Sequence, residues 1–214
     1  MQRRKFLIGV GGTAIGGSAL LGSGAFSRVE SDRDVMIQVA HDSEAYVGLQ
    51  QKETPNSQNY TGYDEKGHFF IDIADQGGFG EGVNSDSTTY FDDLFRLCNQ
   101  GKEDAYFCFD FSELEFAENA VVNLYVRDEE DGFKGSIVCP GTHPETGENM
   151  EGAENVGGWI LIPVGQCVQV GLKTYTYSVD ATQEGPLVEG TATVIADVED
   201  PEEEPIIEPP NNNA

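Results

Sequence analysis

Four cysteines, three histidines and one dense acidic turn carry most of the chemistry available to this 214-residue chain. Cys98, Cys108, Cys139 and Cys167 include no Cys-x-x-Cys, which removes the usual zinc and thiol-redox patterns. In an exported chain an even count predicts two disulfides, with three pairings open. A hairpin turning at residues 99–102 would leave Cys98 and Cys108 about five positions out of register; at ~3.3 Å per residue that is too far for a bond. Cys98 would then pair with Cys139 or Cys167. A connection that crosses between two sheets lifts this restriction.

His41, His68 and His143 are far apart in polar surroundings, and none belongs to a His-Glu-x-x-His. They read as solvated loop or strand-end residues rather than zinc ligands. The sequence has no Gly-x-Ser-x-Gly and no phosphate-binding glycine loop. No catalytic set can be assembled, and the chain is read as not an enzyme. Asp128, Glu129 and Asp131, followed by Gly132, bunch oxygen ligands in a turn, as calcium sites do. Their spacing departs from an EF-hand loop, and a solvated turn is the plainer reading in so acidic a chain. Any calcium here is weakly bound, and no cofactor is required. Asn59-Tyr60-Thr61 is the sole N-glycosylation sequon, which makes Asn59 the candidate acceptor.

Compartment follows from the front end. Arg3, Arg4 and Lys5 precede an uncharged, glycine-broken run from Phe6 to Leu21. Ser23 and Ala25 then offer the small side chains a signal peptidase accepts. Residues 1–25 are predicted to be a signal peptide cut between Ala25 and Phe26. The run is short of the ~20 apolar residues a spanning helix needs, and its glycines weaken it further. Arg3-Arg4-Lys5-Phe6-Leu7 also resembles the twin-arginine motif. The mature chain has no second hydrophobic span to anchor it, so an extracellular or cell-surface location is expected.

Charge narrows the setting. The chain has 38 acidic against 12 basic residues, a net charge of −26. Cleavage removes three bases and no acid, leaving 38 against 9, or −29. Such a field repels nucleic acid and anionic membranes. It suits saturating salt, where self-repulsion is screened within roughly 3 Å, and indicates a halophile's exported protein. With 12 Phe and 8 Tyr the chain is too apolar to be a disordered acidic polymer.

The positioning elements have period two. Val35, Ile37 and Val39 alternate with other residues, as do Ala45, Val47 and Leu49, and Phe69, Ile71 and Ile73. Residues 50–67 are polar and read as a long loop, as do residues 76–89 and 140–158. Ala105, Phe107, Phe109 and Phe111 point one way, with Tyr106, Cys108 and Asp110 the other. Residues 112–119 permit a short helix. Trp159-Ile160-Leu161-Ile162 reads as a buried run, followed by alternation through Val168, Val170 and Leu172, then Tyr175, Tyr177 and Val179, and last Thr191, Thr193 and Ile195. Eight to ten short strands with long polar loops predict an all-β antiparallel β-sandwich, jelly-roll or Ig-like, over residues 26–196. Residues 197–214 are rich in Glu and Pro and are expected to be a disordered tail.

Three stretches resemble the TasA and camelysin group of exported β-sandwich proteins. They are Gly22-Ser23-Gly24-Ala25-Phe26 with the charged residues 27–34, then Phe95-Arg96-Leu97-Cys98-Asn99-Gln100-Gly101, and Ile162-Pro163-Val164-Gly165-Gln166-Cys167-Val168-Gln169-Val170-Gly171-Leu172. Nearly the whole mature domain also resembles a haloarchaeal domain family of unknown function. The TasA likeness implies extracellular fibres in which the segment freed by cleavage completes the sheet of the next subunit. Here that donor is residues 26–34, with Phe26 and Val29 as apolar anchors. The implied partners are further copies of the chain or other extracellular proteins. The other expectation is a monomeric secreted module that binds polysaccharide or a surface-layer partner, with Trp159 and the tyrosines as candidate platform residues.

Overall fold

The structure is a computed structural model describing residues 39–74, 82–128, 132–142, 157–180, 185–201 and 206–207. The chain divides into two units, Met1–Gln38, which lies outside the described residues, and Val39–Ala214. The described elements run β1 (Val47–Gln51), α1 (Pro55–Tyr60), β2 (Thr61–Tyr63), β3 (Phe69–Ile71), β4 (Thr88–Asn99), β5 (Ala105–Asp110), β6 (Leu114–Phe116), β7 (Val121–Asp128), β8 (Gly132–Ser136), β9 (Trp159–Ile162), β10 (Cys167–Tyr175), β11 (Val188–Gly190), β12 (Thr193–Asp197) and β13 (Ile206–Ile207).

These strands build an antiparallel β-sandwich. One sheet has the order β1-β4-β10-β7-β8 and the other β12-β5-β9-β13. Two small pairs, β2-β3 and β6-β11, stand beside them. Among the named strands, only β13 against β9 runs parallel. Between the two sheets lie Phe95, Leu97, Val168 and Val170 from one and Phe107, Phe109, Ile160 and Ile162 from the other. The Phe95 and Phe109 rings meet edge-on at 6.0 Å between centroids. Each such side chain withdrawn from water stabilises the fold by about 1.5–3 kcal/mol, which is why the period-two pattern decides which face turns inward.

β4 and β5 belong to different sheets, so residues 100–104 cross from one layer to the other rather than closing a hairpin. Cys98 shares the outward parity of Arg96 on the first sheet, and Cys108 that of Tyr106 and Asp110 on the second. The two cysteines therefore stand on opposite faces of the sandwich. The disulfides are Cys98–Cys167 and Cys108–Cys139. The first joins directly opposed residues of β4 and β10.

Several local expectations change. The polar excursion contains α1, which starts on a proline in the first turn, where a missing N–H does no harm. The 112–119 segment forms a turn and then β6, because Leu114–Phe116 finds a strand partner in β11. Trp159 is half-buried rather than core, whereas Ile160 and Ile162 are fully buried. Among the described residues Val39 has no strand partner, and it is 99% exposed, while Val35 and Ile37 lie outside the described residues. Within the acidic tail, Ile206 and Ile207 pair with Trp159 and Ile160, and Ile207 packs on the core. Two consecutive isoleucines give that segment an apolar patch its composition as a whole conceals.

Candidate functional site

The uncovered main chain at the sheet edges is the feature most able to recognise another molecule, and the edges differ in how they are closed. β1 closes the first sheet and is sealed locally. The Leu49 N–H donates to the Asp42 carbonyl at 2.9 Å. The Tyr63 hydroxyl donates to the Leu49 carbonyl at 2.8 Å and accepts from the Gln51 N–H at 3.0 Å. A loop carbonyl and one phenol thus occupy three of the groups that a further strand would need.

In the second sheet, β9 is covered on its outer side by the two residues of β13. Gly135 leaves room for that cover, since a Cβ there would lie 2.9 Å from Ile207 Cδ1. At the opposite end, β12 pairs with β5, and among the described residues nothing pairs with its other side. Thr193, Ala196 and Asp197 are exposed, whereas Val194 and Ile195 are half-buried.

The outer face of the first sheet carries a polar cluster built on a bulge. Five residues of β4, Phe91 to Phe95, span three of β10, Val170 to Leu172. Asp93 sits in the bulge with φ 58°, in the left-handed region. Helix α1 is docked there by polar bonds. Asn56 Nδ2 donates to the Asp92 carbonyl and Thr54 Oγ1 to the Asp93 carbonyl, both at 2.8 Å. Lys52 Nζ lies 3.0 Å from Asp93 Oδ1 and 2.9 Å from Gln169 Oε1, with its side chain only 8% exposed. Asp92 accepts from the Tyr125 hydroxyl and from Arg127 Nη1, the latter at 2.6 Å. Burial first, then the hydrogen bond to Asp92 and its charge, push the Tyr125 phenol far above its ordinary value.

An open depression of about 390 Å³ beside the cluster is lined by Gln51, Lys52, Glu53, Thr54 and Arg96. Lys52, Asp93, Asp92 and Arg127 are each engaged by a structural partner. The arrangement therefore positions α1 and the bulge rather than presenting a nucleophile to a base.

Of the residues singled out by sequence, the four cysteines come together as two bridges. Asn59 is exposed on α1. His41 packs on the Tyr63 ring at 4.4 Å, and His68 Nδ1 lies 3.1 Å from Asp64 Oδ2. Asp128 ends β7, while Glu129 and Asp131 lie outside the described residues, as do Ala25, Phe26, Val29 and His143. Among the described residues no three His, Cys, Asp or Glu side chains are grouped to hold a metal ion. Nor is any helix there long and apolar enough to cross a membrane. The β12 edge, the β13 cover and the Asp92–Tyr125 bond did not emerge from sequence. The one local trace was Leu94-Phe95, two adjacent apolar residues that break the alternation where the bulge lies.

No curated protein matches the chain. A family described as protein of unknown function (DUF1102) matches residues 39–186, from the start of the described domain through β10. β11, β12 and β13 lie beyond that stretch. The match takes in more than half of the chain, and the protein belongs to the DUF1102 family.

Proposed function

We propose that the protein is a secreted or cell-surface structural subunit of a halophilic archaeon, joined to its neighbours by strand donation from the mature N-terminus. The supporting observation is the cover on β9: among the described residues, a two-residue parallel strand occupies an edge four residues long. A longer strand from another subunit gains more main-chain hydrogen bonds there than Ile206 and Ile207 supply. Phe26 and Val29 are the apolar anchors of residues 26–34 in this reading. Donor and acceptor are different surfaces, so the contact does not close on itself and yields a filament. Two disulfides favour an oxidising compartment. The signal-like front end and the acidic charge favour export into salt. The reading is non-catalytic and resembles the TasA mode of assembly.

Electron microscopy of the mature protein in high salt should show filaments, and deletion of residues 26–34 should abolish them. Deletion of residues 202–214 should speed assembly by uncovering β9. Filaments of unchanged yield from the N-terminal deletion would overturn the donor assignment.

One observation favours a monomeric binding module instead. Tyr90 is 52% exposed, with Lys173 Nζ at 5.1 Å from its ring centroid, an arrangement suited to stacking on a sugar. A single sedimenting species with either N-terminus, together with polysaccharide binding lost in Tyr90→Ala, would select that reading.

A further inference from the structure

The direction of the main-chain groups on β12 follows from its neighbour. The Phe109 N–H donates to the Ile137 carbonyl at 2.8 Å, and the Phe109 carbonyl accepts from the Cys139 N–H at 2.9 Å. Both Phe109 groups therefore point away from β12. In an antiparallel pair, opposed residues alternate between exchanging both hydrogen bonds and exchanging none. Val194, opposite Phe109, and Ala196, opposite Phe107, must then turn their N–H and C=O outward. Thr193, Ile195 and Asp197 bond to β5. The open edge is thus a four-group ladder on Val194 and Ala196.

Among the described residues this edge is bare, while those of β1 and β9 have partners. Thr193-Val194-Ile195-Ala196-Asp197 contains no Lys, no Pro and no bulge, the usual devices against pairing. We infer that β12 is a contact between two copies of this chain, which join edge to edge, antiparallel, about a two-fold axis through Ile195. In that register Val194 of each copy bonds with Ala196 of the other, and all four outward groups of each edge are satisfied. Asp197 falls opposite Thr193, and Glu199 opposite Thr191, so no carboxylate faces another. The two half-buried Ile195 side chains meet on the axis. The four-stranded sheets become one continuous sheet. Each copy carries a net charge of −26, so the contact forms only where salt shortens the repulsion. A two-fold contact closes on itself and is distinct from the N-terminal one, which in a filament would make it a lateral link.

The test is sedimentation equilibrium of the full chain across salt and protein concentration. The wild type should be monomeric at about 0.1 M salt and dimeric at molar salt, where the screening length falls to about 3 Å. Ala196→Pro deletes an N–H that the fold itself does not use, and edge strands tolerate proline there. It should keep the wild-type circular dichroism and melting curve while weakening the dimer roughly tenfold or more. Should the variant fail to fold, amide exchange of the wild type decides: Val194 and Ala196 should be protected in concentrated, salty solution and free in dilute, low-salt solution. The N-terminal donor is freed only by cleavage, so the full chain isolates the edge contact, and only the step removed by Ala196→Pro counts here. A wild type monomeric at every salt, a dimer indifferent to Ala196→Pro, or equal exchange of the two amides in both conditions overturns the inference.

Discussion

Tyr125 on β7 crosses over Gly171 on β10 and donates its hydroxyl hydrogen bond to the Asp92 carboxylate on β4. Three neighbouring strands are tied by one side chain, and only a glycine in the middle permits it. A Cβ on Gly171 would lie 2.5 Å from Tyr125 Cζ and 3.0 Å from the Phe91 carbonyl oxygen. Gly171→Ala should therefore lose about 1–3 kcal/mol by overpacking. Most of that loss should disappear in a Tyr125→Ala background, because the ring is then gone. Urea denaturation of the four members of the cycle measures the coupling.

The same bond sets an alkaline limit. Tyrosine in the unfolded chain ionises near pH 10, whereas Tyr125 in the fold keeps its proton well above that. Above pH about 10 the unfolded state binds fewer protons than the native one, so stability falls as pH rises. Below that pH the contribution is fully present. Tyr125→Phe should flatten the decline, and phenolate absorbance should show one tyrosine ionising only as the protein unfolds.

Not all of this was legible in the sequence. The alternation from Ala105 to Phe111 exposed a strand and its inward face, because burial on one side of a pleated strand repeats every second residue. Ile160 and Ile162 were legible for the same reason. Helix α1 was hidden because it docks through Thr54 and Asn56 onto main-chain carbonyls of the β4 bulge, with little apolar periodicity of its own. The bulge in turn exists only as a relation between β4 and β10. The β12 edge was likewise beyond reach, since which groups face outward depends on where Phe109 bonds.

Both disulfides should carry substantial stability. They span 69 and 31 residues, and on a chain-entropy account each restrains the unfolded state by about 4 kcal/mol. Replacing Cys98 and Cys167 together by Ala should destabilise slightly more than replacing Cys108 and Cys139, by less than about 1 kcal/mol. Guanidinium midpoints of the two double variants, with and without reductant on the wild type, check the order.

Asp93 has two separable roles. Its backbone lies in the left-handed region, and its carboxylate faces the largely buried Lys52 ammonium. Asp93→Asn keeps a residue tolerant of that backbone but removes the charge, for a loss of about 1–2 kcal/mol after discounting the exposure of the carboxylate. Asp93→Ala should lose a further ~1 kcal/mol, because alanine resists positive φ. Thermal melts of both variants at fixed salt should show that order, and equal melts would deny any backbone contribution.

Asn59 is exposed, but its sequon is not free. The Thr61 hydroxyl is buried and donates to the Ser57 carbonyl at 2.7 Å, and Asn59 and Tyr60 are held in α1. Glycosyl transfer engages the hydroxyl of the sequon threonine and needs Asn59 and Tyr60 unwound from the helix, so the folded domain presents a poor acceptor. The Tyr60 ring, packed edge-on to Phe91 at 5.2 Å, opposes local unwinding. The folded chain incubated with a glycosyltransferase and its lipid-linked donor should therefore keep its unmodified mass, whereas a peptide spanning residues 52–66 should gain the glycan. A chain that crosses the membrane already folded then leaves Asn59 bare, while one threaded unfolded can carry a sugar there. Intact mass of the exported protein thus reports the order of folding and translocation, and modification of the folded chain at the rate of the peptide would contradict the lock on Thr61.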